Sequence, residues 1–267
     1  MKKICHYVIT RFNLRGEAAS TTALDPEWLA RRFDLFEKFC LPTIKAQTRS
    51  DFSWLVLFDT ETPPSCRERI ERLAQWPIFR PIFFPPGTGD VGRRAVESVM
   101  EDTPEVLVTT RLDNDDGLAR RYMEWVRERC DVQEATVFQF PVGYVWSDGK
   151  LYRDRQQSNP FLTLAEPLAG DSSRTFRTIY TGAHHDSHLL GRVVTVSDEP
   201  GWLQVVHGGN LANRRRGIRT PTRQLQGRFG FDQDFELAPE AQFEVLVDSA
   251  RTRLIEGARS LWHRARR

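Results

Sequence analysis

The stretch TTRLDNDDGL, residues 109–118, sets three aspartates and an asparagine directly behind an apolar run. Asp113 and Asp115 lie two residues apart, so on an extended backbone their side chains point to one side, as two ligands of one hard cation should. Asp116 then faces away and is placed to cap a following helix. Two carboxylates ~4 Å apart repel by several kcal/mol at an effective dielectric of ~20, and a pyrophosphate brought beside them is repelled further. A divalent cation, Mn²⁺ or Mg²⁺, reverses that sign: it bridges carboxylate and phosphate oxygens and stabilises the charge on a departing diphosphate. The competing reading is a solvated turn with a helix cap, a composition common by chance. A calcium loop does not fit. With Asp113 first, Asp115 and Glu124 fall at the third and twelfth positions, but Gly117 and Leu118 stand where an oxygen ligand and a glycine are needed.

Two further clusters carry chemistry. GAHHDSH offers His184, His185, Asp186 and His188, types that suit proton abstraction or metal binding, and Asp186 and His185 are the candidates for a general base. No further acid or cysteine at metal spacing accompanies them, so a zinc site is not indicated, and a surface turn is the alternative. NRRRGIRTPTR places Arg214, Arg215, Arg216 and Arg219 around a glycine. Guanidinium forks suit diphosphates, so this segment reads either as a lid over a phosphorylated ligand or as a solvated basic face.

Positioning such groups requires a scaffold. The 267 residues, 40% hydrophobic and 28% charged, suffice for one large globular domain or two intimate ones of roughly 100–150 residues each. Lys and Arg number 38 against 36 Asp and Glu, a net charge of +2 that favours neither nucleic acid nor an anionic membrane as partner. Cys5, Cys40, Cys66 and Cys130 are far apart, which suggests neither a zinc knuckle nor a disulfide framework and points to a reducing cytoplasm. The opening MKKICHYVIT reads as a strand rather than a signal peptide, and no stretch approaches the ~18–20 apolar residues of a membrane span.

ICHYVITRF, FSWLVLFD and EVLVTTRLD read as strands, the last two buried on both faces. Between them, LDPEWLARRFDLFEKFCLPTIKAQ reads as a helix with Asp25 at the N-cap and Pro26 at its first position. CRERIERLAQW and VGRRAVESVMED are further helices, and IFRPIFFPP is an irregular or edge-strand stretch. A helix is expected from about Asp116 through Cys130. This alternation over residues 1–130 predicts a doubly wound α/β sheet whose ligands bind beyond the carboxyl ends of the strands, where the aspartates fall. ATVFQFPVGYVWSDGKLYRD reads as two strands joined by an S-D-G turn. Beyond residue 153 the pattern weakens, and the C-terminal 28 residues read as a helix with a basic tail.

With these elements in place, the chain resembles the GT-A glycosyltransferases, and TTRLDNDDGL, RFNLR and WLQVVHGGN resemble the bacterial rhamnosyltransferase family, over residues 5 to about 215. The resemblance implies a GT-A-like α/β fold, a mixed sheet flanked by helices. It implies that Thr10, Arg11 and Asn13 meet a nucleotide, that Asp59 holds its base, that Arg93 or Arg94 lies near the diphosphate, and that Arg111 adjoins the nucleotide-sugar donor. Asp113 would reach the ribose and the metal, Asp115 would be the main metal ligand, and His207 would complete the metal site, with Gly208 and Gly209 allowing close approach. The alternative for His207 is a satisfied histidine at a strand end.

The expectation is therefore a single GT-A-like domain over residues 1–267, with a nucleotide-binding half (1–130), an acceptor and metal half (131–225) and a C-terminal helical elaboration (226–267). It would transfer a sugar, rhamnose by the family label, from a nucleotide-sugar to a saccharide or lipid-linked acceptor, without a covalent intermediate and in surface polysaccharide assembly. The basic C-terminus would give weak contact with the inner membrane face. A sugar nucleotidyltransferase and a non-catalytic saccharide-binding protein on the same fold are the alternatives. RFNLRGE is not the glycine-rich phosphate loop the former would favour.

Overall fold

The apolar runs of the first half form parallel strands because both of their faces are covered. β1 (Ile4–Arg11), β2 (Ser53–Asp59), β3 (Phe79–Phe84) and β4 (Val106–Arg111) lie side by side in the order β3-β2-β1-β4, all parallel. The computed structural model describes residues 2–16, 21–157, 159–168, 175–182, 184–196, 199–208, 216–231, 245 and 247–250. IFRPIFFPP is thus a regular edge strand, β3, which tolerates Pro81 because an edge position can spare a ladder donor.

α1 (Pro26–Leu35) begins as expected. The Asp25 carboxylate accepts a hydrogen bond from the Trp28 N–H at 2.7 Å, and Pro26 sits in the first turn. The helix continues through one π turn, Phe36–Cys40, into α2 (Leu41–Lys45). The wide turn is where Pro42 enters; lacking an N–H and crowding the carbonyl four residues back, it cannot extend a regular ladder. Leu29, Phe33, Phe36 and Cys40 are all buried, as their spacing predicts. α3 (Pro64–Leu73) and α4 (Val91–Glu97) follow β2 and β3.

After β4 the expected helix is delayed. Gly117 and Leu118 form a two-residue strand, β5, and α5 (Tyr122–Arg127) starts only at Tyr122, with no side-chain cap. The next region holds three strands, not two: β6 (Thr136–Gln139), β7 (Val142–Ser147) and β8 (Lys150–Arg155). β7 and β8 are the hairpin foreseen at S-D-G, turned by Asp148 and Gly149 at φ 50° and 73°. Pro141 separates β6 from β7, and the chain crosses there from one sheet to another. β9 (Leu162–Pro167) arises from the stretch with the weakest sequence signal. It is followed by β10 (Arg192–Thr195), β11 (Trp202–Val206), β12 (Ile218–Thr220) and α6 (Gln224–Phe229).

These strands make a seven-stranded sheet, β10-β6-β9-β4-β1-β2-β3, in which β9 runs antiparallel between β4 and β6. A second sheet has the order β12-β8-β7-β11-β5. The arrangement is a mixed α/β one, parallel in its first four strands and antiparallel at β9. Through its centre runs a buried polar chain: His6 Nε2 lies 2.8 Å from Thr110 Oγ1, which lies 2.6 Å from Thr163 Oγ1, itself 3.2 Å from the Tyr122 hydroxyl. It ties β1, β4, β9 and α5 together, and among the described residues no fully buried side-chain N or O atom is left without a partner. The four cysteines are free thiols, and among the described residues no helix is long and apolar enough to cross a membrane. The C-terminal helix expected beyond residue 240 lies outside the described residues except at 245 and 247–250, which are helical.

Candidate active site

β2 and β3 lie to one side of β1 and β4 to the other, so the connections switch direction between β1 and β4. The carboxyl ends of these two strands form the crevice where open α/β sheets take their ligands. Asn114 fastens it: its side-chain amide donates to the Phe12 carbonyl at 2.8 Å and to the Arg11 carbonyl at 3.3 Å.

The aspartates beyond β4 do not stay extended. The Asp116 N–H bonds to the Asp113 carbonyl at 3.2 Å, closing a turn, so the alternation that would have aimed Asp113 and Asp115 at one cation is broken. Asp113 turns to the Arg111 guanidinium, 3.2 Å from Oδ2. The Asp115 Oδ2 accepts from Arg32 Nη1 at 2.7 Å and from His207 Nε2 at 2.9 Å. Burial works against the Asp115 charge, but the His207 hydrogen bond and the Arg32 guanidinium outweigh it and hold the carboxyl below its ordinary range. The sequence placed His207 here; Arg32, 83 residues away, it did not.

Asp116 is not a helix cap. Its carboxyl is buried, and Oδ1 accepts the Val205 N–H at 2.8 Å, pinning β11 two residues before His207. Burial, reinforced by the charges of Asp115 and Asp113, pushes its pKa well above the carboxylate range. Asp116→Asn keeps the acceptor and removes the unfavourable charge, so melting temperature at pH 7 should hold or rise. Asp116→Ala strands a buried N–H and should cost ~1–3 kcal/mol. Chemical unfolding of both variants checks this; an equal loss in the two would show that the carboxylate itself is required.

Asp115 and His207 have the chemistry of cation ligands, and their 2.9 Å separation matches two neighbouring donors in one coordination shell, since atoms bound at ~2.1 Å in adjacent positions lie ~3 Å apart. To ligate through Nε2, His207 must give up the proton it now donates to Asp115. Among the described residues no group of three or more His, Cys, Asp and Glu is placed to share a metal, so water and phosphate oxygens would fill the other positions. Both are donor types that a divalent cation takes, but the expected Asp113–Asp115–His207 triad is not assembled, and the Arg32 guanidinium lies 2.7 Å from the same Asp115 oxygen.

Arg11 and Arg111 both lie over the Tyr180 ring, at 5.0 and 5.4 Å from its centroid, and the Tyr180 hydroxyl donates to the Ile9 carbonyl at 3.2 Å. Burial, then the neighbouring Asp113, push the Tyr180 hydroxyl up to about 12, so it stays a donor. Gly92 lets this segment approach α4: a Cβ there would lie 2.7 Å from Thr178 Oγ1 and 3.0 Å from Tyr180 Cβ. Arg93 is held by Asp90 at 2.8 Å and Glu97 at 3.4 Å, and Arg94 is exposed on the same helix.

Other expected nucleotide contacts are engaged within the protein. Thr10 is buried, its hydroxyl accepting from Trp54 Nε1 at 2.9 Å. The Asn13 side chain bonds to the Asp59 N–H, Thr62 and the Ala23 carbonyl. Asp59 receives a two-pronged bond from Arg15 at 2.9 and 3.1 Å and another from the Glu61 N–H. Burial alone would raise the Asp59 carboxyl; the Arg15 fork and that N–H reverse it and hold it low. A base at Asp59 would have to compete with Arg15.

Asp186 and the His185 backbone lie in a short helical turn, His184–Leu189, which packs on β10 at the sheet edge; the His185 side chain is outside the described set. Arg214, Arg215 and Gly209 lie outside the described residues. Arg219 is not part of a lid: buried in β12, it donates to the Leu151 and Thr220 carbonyls at 3.1 and 3.2 Å.

No curated protein matches the chain in sequence. Among solved structures it is similar to S. aureus TarS 1–349, with 11% identity and a TM-score of 0.44 over 75% of this chain and 60% of that one. It is also similar to the same protein in complex with UDP-GlcNAc (13%, 0.45, over 77% and 60%) and with UDP (13%, 0.44, over 76% and 60%). The chain thus spans three fifths of the length of those chains, and likenesses at this TM-score carry no weight for what it does. The sequence match is broader: residues 8–219, from β1 through β12, fit one family model that takes in the aspartate turn, Arg32 and His207, and the chain belongs to that family, described as "Putative rhamnosyl transferase".

Proposed function

We propose that the chain is a glycosyltransferase that moves a sugar, rhamnose by the family's description, from a nucleoside-diphosphate donor to a hydroxyl of a saccharide or lipid-linked saccharide. The observation that carries this reading is the ionised, nearly buried Asp115 joined to His207 beside the β1–β4 crevice, in a chain of this family.

In this reading the Arg11 and Arg111 guanidiniums face the donor diphosphate, and Asp113 reaches the ribose. Asp115 and His207 hold Mn²⁺ or Mg²⁺. The chemistry that cation supplies when bound is charge stabilisation on the diphosphate oxygens. Transfer is a direct displacement. The acceptor oxygen forms a bond to the anomeric carbon, the bond from that carbon to the diphosphate breaks with its electron pair on the nucleoside diphosphate, and the hydroxyl proton passes to a base. Asp186 and His185 are the groups proposed for that base. The preformed Asn114 clamp keeps the crevice from reorganising during the step.

Thermal unfolding against a panel of nucleoside diphosphates and nucleotide-sugars, with and without Mn²⁺, tests the reading. A ligand at ~100 times its dissociation constant adds ~2.7 kcal/mol. A Mn²⁺-dependent rise with one nucleoside diphosphate is expected; no rise with any nucleotide would overturn the assignment.

A further inference from the structure

The pairing of β1 with β4 ends at Ile9, opposite Arg111. The Ile9 carbonyl accepts the Leu112 N–H at 3.1 Å and, on its second lone pair, the Tyr180 hydroxyl at 3.2 Å. Tyr180 is thereby locked to the end of the seam from which both arginines of the crevice leave. Its ring centre lies 5.0 Å from the Arg11 guanidinium carbon and 5.4 Å from that of Arg111. The Arg11 main chain is fixed by the Asn114 amide, and Arg111 is also held by Asp113 at 3.2 Å.

The segment that brings the ring there is fastened on three sides. The Ile179 N–H donates to the buried Thr109 hydroxyl on β4 at 2.9 Å. A tight turn closes around it: the Thr181 N–H bonds to the Thr178 carbonyl at 2.9 Å and the Thr178 N–H to the Thr181 hydroxyl at 3.0 Å. Phe176 and Tyr180 pack into the apolar layer formed by Ile9, Leu57 and Val96. On α4 only glycine leaves room, since a Cβ at Gly92 would meet Thr178 and Tyr180. The choice of an aromatic ring also has a physical reason. Two guanidiniums near each other repel; a carboxylate between them would occupy their donors, whereas a ring attracts both through its electron-rich face and leaves their N–H edges for the oxygens of a ligand.

We propose that Tyr180 is a positioning residue for the donor: its ring holds Arg11 and Arg111 together as one two-pronged receptor, and the pair makes the site select a nucleoside diphosphate over the monophosphate. The proposal rests on the glycosyltransferase reading. A monophosphate offers anionic oxygens at one phosphorus only, so the second guanidinium gains little from it; a diphosphate engages both. Tyr180 touches neither phosphate in this arrangement and acts through the arginines.

Calorimetric titration of the full chain at fixed Mn²⁺ with UDP, dTDP, GDP, CDP and ADP and their monophosphates tests this, alongside Tyr180→Phe, Tyr180→Leu, Arg11→Gln and the double variant Arg11→Gln, Tyr180→Leu. The unaltered chain should bind one diphosphate at least ~10-fold more tightly than its monophosphate; Tyr180→Leu should lose most of that preference and Tyr180→Phe, which keeps the ring, should retain it within ~3-fold. Because the ring acts through a guanidinium, Tyr180→Leu should cost much less in the Arg11→Gln background than alone. A tyrosine that only supports the fold would weaken di- and monophosphate alike and add its loss to that of Arg11→Gln. Either of those results, or an unchanged preference in Tyr180→Leu, would overturn the proposal. Should Tyr180→Leu fail to fold, Gly92→Ala, which pushes Tyr180 without removing it, makes the same comparison: a lowered diphosphate preference supports the proposal and an unchanged one overturns it. Failure of the transferase reading shows separately, as an unaltered chain that binds none of these nucleotides, and removes both.

Discussion

Asp115→Asn should abolish the Mn²⁺-dependent part of nucleotide stabilisation and lower transfer by at least ~100-fold, while the protein still folds. Asparagine keeps the shape of the side chain and one carbonyl oxygen, so Arg32 and His207 retain a partner at Oδ1. What disappears is the negative charge that faces them. The nearly buried Arg32–Asp115 contact then becomes a charge–dipole bond, and stability should fall by ~1–2 kcal/mol rather than the 3–5 kcal/mol expected when a buried partner is deleted outright. Asp113→Asn is the informative contrast. The Asp113 side chain is about a third exposed and faces Arg111 across the turn, so its loss should weaken donor binding less and leave the Mn²⁺ response in place. Equal loss of that response in both variants would return Asp113 to the cation and show that the turn opens when the donor arrives. The readouts are melting temperature with and without Mn²⁺ and the initial rate of nucleoside diphosphate release.

The second large effect concerns stability against pH and lies at the centre of the sheet. Burial, opposed in part by the charge of Asp51 and aided slightly by that of Arg127, pushes the His6 imidazole down to about 3. In the unfolded chain the same group takes up a proton near 6.5. Between those values the unfolded state binds the proton and the folded state does not, so stability falls as the pH is lowered through that window, by about 1.4 kcal/mol per pH unit for one group. Above about pH 6.5 the penalty is absent. His6→Gln can still bond to Thr110 and has nothing to titrate. Its unfolding free energy should therefore decline less steeply than that of the unaltered protein from pH 6.5 to 4, in urea titrations at closely spaced pH values. Parallel curves would mean that the interior accepts a charged imidazole at this position.

The features read correctly from the sequence are those with a local cause. Strands buried on both faces announce themselves as unbroken apolar runs, and Asp25 with Pro26 marks a helix start that no later contact overrides. His207 came from the resemblance carried by WLQVVHGGN and not from a local cause; it lies 2.9 Å from Asp115, across 92 residues of sequence. The errors come from long-range pairing. Asp116 looks like a cap because an acid followed by Gly and an amphipathic run is a helix-start pattern; the backbone of Gly117 and Leu118 instead pairs with β11, and the carboxyl follows to Val205. β9 lies inside a polar, proline-bearing stretch, yet it sits between β4 and β6, where its neighbours and not its own pattern make it a strand. Arg32 carries no signal, being one of two adjacent arginines on a helix that has exposed cations elsewhere. Arg15 did have one, as the last residue of RFNLR, and its fork onto Asp59 explains why a guanidinium stands there.

The position of β1 also sets an order of events as the chain folds. Its two neighbours pair with it across sequence separations of 46 residues (Tyr7 with Ser53) and 102 residues (Ile4 with Val106). The β7–β8 hairpin needs only a two-residue turn. Closing a long loop costs conformational entropy before any contact rewards it, so hairpins and helices form early and such seams late. Asn114 reaches the Phe12 carbonyl over that same 102-residue span, and Asp115 reaches His207 over 92. The crevice is thus among the last parts of the molecule to exist. During synthesis, the first strand must wait for more than a hundred residues to emerge before it gains the neighbour that completes the site.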